Sequence, residues 1–407
     1  MRNLLLPVCL LLLPQLAACS RNDDRNATRH FLTEELTKCL DGTPAWFYHR
    51  AGDPRRFVLS FPGGGWCDSL ANCEARTKTS LGSSAHAKPV LPMDWASFDD
   101  PQLNPLMHNW TFMHLAYCDG GISAGERRQS VRAPNGTMLH FHGRFILEAF
   151  LAEAHGYGLS AASDVVVTGG SAGALHILTH LDSMVPLINP TQRKSMRIVG
   201  FADSGFPLET TPFSLIFPFL ISPSGHNGTA LINPACRSSA LPLARCLQPS
   251  ASVHLLKSQV FIFNSRYDES DLINPAELTS CPQCGMAAPR PASCNPCITA
   301  FGSNLSQSIQ RELFLRGSTS GSAAFIDSCS RHCGYQSGPL EIDGVSAYAA
   351  FAGWYRGGKR RLWVQNESYP CTTCCGGQGM NPAPEHRTGA IKTRRHAGWQ
   401  ALVGAWD

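Results

Sequence analysis

Between the apolar run Asp164-Val165-Val166-Val167-Thr168 and a segment carrying Leu175, Leu178 and Leu181 at helical spacing stands the pentapeptide Gly169-Gly170-Ser171-Ala172-Gly173. A buried strand that turns straight into a helix leaves no room for a long connection. Only small neighbours permit so sharp a turn, and it lifts the serine hydroxyl above the sheet beside a helix N-terminus, where developing negative charge is favoured. The G-x-S-x-G pattern in this context predicts a nucleophile elbow with Ser171 at its apex.

The surrounding chain reads as strands alternating with helices. Arg56–Phe61 is a β-prone run that stops at Pro62-Gly63-Gly64-Gly65, and a helical pattern begins at His142 with Phe145, Ile146, Ala149 and Phe150. Arg197–Phe201 and Gln259–Phe263 supply two further short apolar strands. This alternation predicts an α/β fold of the α/β-hydrolase type, a mainly parallel sheet with helices on both faces. Residues 206–255 and 275–320 gather Pro, Ser, Cys and Asn without a period and are expected to be Cys-rich cap insertions.

A serine hydroxyl needs a histidine to take its proton and a carboxylate to orient that histidine. In this fold the chain order is Ser, acid, His. Asp268 follows the 259–263 strand by a short loop and is the expected acid, with Asp203 as its main rival and Asp327 a weaker one. Beyond Asp268 lie His332, His386 and His396. His332 sits in Ser328-Cys329-Ser330-Arg331-His332-Cys333, where cysteines could staple a loop around it, whereas the other two fall in an irregular segment. The oxyanion donors are expected at the N–H of Ala172, which follows the nucleophile, and in the glycine loop at Gly64, with Gly65 next. Such a site needs no cofactor and no metal. Cys281-x-x-Cys284 and Cys294-x-x-Cys297 are spaced too closely for an ordinary zinc site and read as disulfide partners.

The N-terminus carries Arg2, the apolar run Leu4–Leu13 and the small residues Ala17 and Ala18, which predicts a signal peptide over residues 1–19 and a secreted, extracellular protein. The same residues with Cys19 match a lipoprotein signal, so lipid anchoring through Cys19 is the alternative. Six N-x-[ST] triplets at Asn26, Asn109, Asn135, Asn227, Asn304 and Asn366 favour a glycosylating secretory route. The 17 cysteines agree, because thiols at this density persist as disulfides only where conditions are oxidising. Removing Cys9 and Cys19 leaves an odd number, hence at least one free thiol or an intermolecular bond, and Cys67–Cys73 is the one pair guessed from spacing. A net charge of +4 gives no ground for a nucleic-acid partner, and no apolar run is long enough for stable membrane insertion. The expected division is a hydrolase domain over 30–360 and a Cys-, Gly- and Pro-rich basic tail over 361–407.

Taken together the motifs resemble the pectin acetylesterase family, which also includes the Notum carboxylesterases. The similar segments include Cys39-Leu40-Asp41-Gly42-Thr43, Gly63-Gly64-Gly65-Trp66-Cys67, Leu81-Gly82-Ser83-Ser84, Tyr117-Cys118-Asp119-Gly120, Phe141-His142-Gly143-Arg144, Ala202-Asp203-Ser204-Gly205-Phe206 and Asp327-Ser328-Cys329. The resemblance implies a metal-free Ser171–His332–Asp268 triad with oxyanion donors at Gly64 and Ala172, and places Asp203 near the pocket rather than at the acid position. It also implies an acylated extracellular substrate: an acetylated pectin-like polysaccharide first, or a protein carrying a long acyl chain as the alternative. Phe213–Ile221 could line a deep acyl pocket or belong to the core. A non-catalytic glycan-binding protein on the same fold is the third reading. Pro62, where plant members carry a glutamate, makes the substrate contacts less transferable than the triad.

Overall fold

The computed structural model describes residues 26–91, 99–208, 213–273, 284, 290–316, 321–334 and 340–375, and the backbone alone for 213–216. The N-terminal segment with Cys9 and Cys19, together with Cys281, His386 and His396, lies outside the described residues.

Nine strands form one sheet: β1 Thr28–Phe31, β2 Trp46–Arg50, β3 Asp53–Phe61, β4 Trp110–Leu115, β5 Asp164–Gly170, β6 Arg197–Asp203, β7 Val260–Ser265, β8 Ala323–Asp327 and β9 Leu362–Val364. Their spatial order is β1-β2-β4-β3-β5-β6-β7-β8-β9. The strands from β4 to β9 run parallel, while β1–β2 and β2–β4 are antiparallel and finish one edge. The fold is therefore α/β, with an α/β-hydrolase-like sheet, as the alternation of strand and helix patterns implies. Parallel strands need crossover connections, and three of these carry α1 Leu70–Arg76 between β3 and β4, α2 Gly143–Gly156 from β4 past β3 to β5, and α3 Ala172–Ile188 between β5 and β6. Further on come α4 Phe213–Ile221, α5 Asn295–Gln310 and α6 Ala347–Tyr355.

Val165, Val166 and Val167 are fully buried, as a strand covered on both faces requires. Phe201 and Phe261 stack with ring centroids 5.5 Å apart, and α6 closes over them with Phe351 at 4.8 and 5.4 Å. The chain extends from β3 in opposite directions, to β4 on one side and β5 on the other. Open α/β sheets bind ligands outside the strand carboxyl ends at such a switch point. The glycine loop after β3 and Ser171 after β5 meet there.

Two expectations change. The boundary at residue 360 cuts through the sheet, because Leu362–Val364 pairs with β8 as edge strand β9 and Cys375 is disulfide-bonded to Cys329. Nor is the 275–320 segment wholly irregular, since it holds α5, whose buried face includes Ile298, Phe301, Leu305 and Ile309. Cys67–Cys73 is paired as its spacing suggests; further disulfides, which spacing did not predict, join Cys39–Cys118, Cys236–Cys246, Cys284–Cys294 and Cys371–Cys374.

Candidate active site

Ser171 adopts φ 54° and ψ −122°, backbone that a residue other than glycine rarely occupies. The strain is held by close packing. A Cβ on Gly173 would lie 2.0 Å from the Phe61 carbonyl oxygen, and one on Gly169 2.5 Å from the same atom, so both outer glycines of the pentapeptide are needed for the end of β3 to approach. The Ser171 N–H donates to the Asp203 carbonyl at 2.8 Å. Ala172 opens α3, where the first amides of a helix have no partner within it.

The glycine loop faces the elbow. A Cβ on Gly63 would stand 2.7 Å from Ser171 Cβ, which places this backbone directly against Ser171. Gly64 has φ +136° and is wedged between Leu81 and Tyr117, and Gly65 has φ +61°. Behind Ala172 lies a cavity of about 20 Å³ lined by residues that include Pro62, Tyr117, Asp119 and His176. It has room for a water molecule.

On the far side of the elbow, past β6, Asp268 follows β7 and His332 follows β8. His332 Nδ1 and Asp268 Oδ1 are 2.7 Å apart, with Asp268 almost fully buried and the imidazole about a quarter exposed. A carboxylate can only accept, so Nδ1 carries the hydrogen and Nε2 is left as the basic nitrogen. Burial opposes charge on the ring, but the Asp268 carboxylate and the neighbouring Cys333 together outweigh it and hold His332 well above the ordinary imidazole range. The Ser270 N–H also donates to Asp268 Oδ1, at 3.0 Å. Burial and the charge of Asp268 keep Asp271, one helical turn on, well above the usual carboxylate range.

Asp203 and Asp327, the rival acids, face Arg331 instead of His332. Arg331 Nη2 donates to Asp327 at 2.5 Å, and its Nη1 lies 3.6 Å from Asp203, all three side chains being buried. The guanidinium covers the Phe263 ring at 4.2 Å. Asp203 also accepts the Gly334 N–H at 2.8 and 3.0 Å, and Ser204 Oγ accepts that of Cys333 at 3.0 Å. The residues flanking His332 are thus anchored on both sides, an arrangement that the sequence reading missed for Arg331 and Ser204. Of the two cysteines expected to staple the loop, Cys329 does so through Cys375, whereas Cys333 is a free, buried thiol.

Phe217 and Leu220 of α4 are buried with Trp66, Ala172 and Leu175, and the Trp66 and Phe217 rings stack at 5.3 Å. Among the described residues, one group of side chains has metal-ligating proximity, namely Cys67, Cys73 and His226, and its two sulfurs are joined as a disulfide.

With this geometry the chain matches the model of the pectinacetylesterase family over residues 22–376. The chain belongs to the pectinacetylesterase family. The match includes the elbow, the glycine loop, Asp268 and His332, and runs past β9 to the Cys375 bridge. Pectin acetylesterase 5 of Arabidopsis thaliana is 30% identical over 239 residues, which are 56% of this chain and 54% of that protein. The palmitoleoyl-protein carboxylesterase NOTUM of Mus musculus is 28% identical over 187 residues, covering 45% and 36%. The chain therefore spans about half the length of the first of these relatives and less of the second. Among solved structures, the Wnt deacylase Notum from Drosophila superposes with a TM-score of 0.70 at 22% identity, covering 84% of this chain and 97% of that one. At that identity the likeness establishes a shared fold.

Proposed function

We propose that this family member is a secreted carboxylic-ester hydrolase that removes O-acetyl groups from a pectin-like polysaccharide, with Ser171, His332 and Asp268 as its triad. The observation that carries the reading is the 2.7 Å pairing of His332 Nδ1 with Asp268, at the same end of the sheet from which the elbow presents Ser171. Ser171 Oγ attacks the ester carbonyl as His332 Nε2 takes its proton, and Asp268 stabilises the imidazolium. The tetrahedral oxyanion receives the N–H of Ala172 and amides of the Gly64–Gly65 loop. Collapse expels the sugar alkoxide, which takes the proton from His332 and leaves acetyl on Ser171. Water, deprotonated by the same imidazole, then releases acetate and restores the serine.

A short acyl group is supported by the stacked Trp66 and Phe217 rings beside Ala172, which fill apolar space with protein. Secretion is supported by the apolar N-terminal run and the disulfides. The test is hydrolysis of p-nitrophenyl esters from acetate to palmitate, together with acetate release from acetylated pectin. The highest kcat/KM is expected on acetate, with acetate freed from the polymer. A maximum on palmitate would favour the long-chain protein deacylase, and no turnover of any ester would favour the glycan-binding reading.

A further inference from the structure

Two buried side chains grip the glycine loop from behind. Arg76, the last residue of α1, donates from Nη1 to the Gly64 carbonyl at 2.8 Å, and the Tyr117 hydroxyl donates to the Gly65 carbonyl at 2.5 Å. Each side chain belongs to a residue only 8% exposed, so neither is available to bulk solvent as a surface group. We propose that Arg76 and Tyr117 are positioning residues of the oxyanion hole, which clamp the two peptide units flanking Gly65 and so aim the Gly65 N–H at the acyl oxygen over Ser171. This rests on the ester-hydrolase reading of the site.

The argument is geometric. A peptide unit is planar and trans, so its carbonyl and its N–H point in opposite directions. The Gly64 carbonyl shares a unit with the N–H of Gly65, and the Gly65 carbonyl shares one with the N–H of Trp66. Fixing each oxygen from one side therefore fixes the direction of the donor on the other. The constraint matters here because three consecutive glycines have the freest backbone of any sequence, and the observed φ of +136° and +61° is reached only by selection from many alternatives. A cation on the carbonyl also polarises the amide and strengthens its N–H as a donor. Among the described residues nothing accepts from the amides of Gly64 or Gly65.

The clamp has its own support. The Cys67–Cys73 bridge ties the loop to α1, which carries Arg76, and the Cys67 N–H donates to the Gly120 carbonyl at 2.8 Å. Tyr117 Oη accepts the Ile122 N–H at 3.2 Å, which leaves its hydrogen directed at Gly65. Asp119, behind Tyr117 in the chain, is held by the N–H groups of Gly121 and Ser123 at 3.1 and 2.9 Å. A Cβ on Gly65 would come within 3.3 Å of Arg76 Nη2, so any larger residue at 65 would press on the clamp.

The test uses the full-length protein and its Tyr117→Phe, Arg76→Lys and Arg76→Met variants. Three quantities are read: kcat and KM for p-nitrophenyl acetate, the inhibition constant of phenylboronic acid, which forms a tetrahedral anionic adduct on serine, and the melting temperature. Complete loss of one oxyanion donor lowers kcat by roughly 10²–10³, so a misaimed donor should cost about 10- to 100-fold in Arg76→Met and about 3- to 10-fold in Tyr117→Phe. KM should stay within about twofold, and boronate affinity should fall by the same factor as kcat, because both report the tetrahedral state. Arg76→Lys should recover part of the loss. If Tyr117→Phe and a folded Arg76 variant keep wild-type kcat and boronate affinity, or lose only melting temperature and KM, the positioning role is wrong. Should Arg76→Met fail to fold, Tyr117→Phe, which removes one oxygen and no packing, decides the matter alone. A wild-type protein that turns over no ester would instead overturn the reading of the whole site.

Discussion

Three aspartates near the sheet end are divided by what they touch. Asp268 reaches the imidazole, whereas Asp203 and Asp327 are both committed to Arg331. In chain order all three were acceptable acids, because order says nothing about which carboxylate a folded loop will turn toward His332. Replacing Asp268 by Asn should lower kcat by as much as ~10⁴-fold near neutral pH with little change in KM, since the amide favours the wrong imidazole tautomer. The pH profile supplies a second readout. Asp268 raises the His332 pKa above the ordinary value, and the base must be neutral to act, so wild-type kcat/KM should rise with pH through a limb above 6.5. Without the carboxylate that limb should move to lower pH. An unchanged limb in a folded Asp268→Asn protein would place the acid elsewhere.

The elements most legible in the sequence are those whose local pattern agrees with their burial. The β5 strand is three buried valines that end in glycine, and its turn into α3 could be read residue by residue. Strand β8 is short, and it emerges from a segment whose composition reads as loop, so Ala323–Asp327 gave no signal apart from its neighbours. Leu362–Val364 likewise follows Arg360 and Arg361, and only pairing with β8 makes it a strand. The α5 helix hides its apolar face among serines and glutamines. That His332 stands near Asp268 could be expected from chain order, but the packing around it could not, because Arg331 meets Ser204 and Asp203 across 127 and 128 residues of chain, at the ends of β6 and β8. That anchor gives a stability prediction for the β8 loop. Arg331→Met strands two buried carboxylates, and breaking a buried pair costs roughly 3–5 kcal/mol, so urea unfolding should show a loss of that order. A loss under about 1 kcal/mol would show that the cluster does not hold the loop.

Across the whole molecule, the disulfides and the acceptor triplets point to the same compartment. Cys39–Cys118 and Cys329–Cys375 close loops of 79 and 46 residues and tie the two ends of the domain to segments near the site. The six triplet asparagines, Asn26, Asn109, Asn135, Asn227, Asn304 and Asn366, are all exposed, which a large hydrophilic glycan requires. Expressed through a eukaryotic secretory pathway, the protein should lose mass on treatment with an N-glycosidase, and a single unshifted band would remove that support for secretion. The central claim is chemical, that Ser171 is the nucleophile of an ester hydrolase, and covalent labelling tests it most directly. Purified protein is treated with a fluorophosphonate, and the modified peptide is identified by mass spectrometry while acetate release is followed in parallel. One adduct per molecule is predicted on Ser171, with activity falling in step with labelling and with no adduct on Ser171→Ala. An active protein that takes no label, or carries it on another residue, would contradict the account.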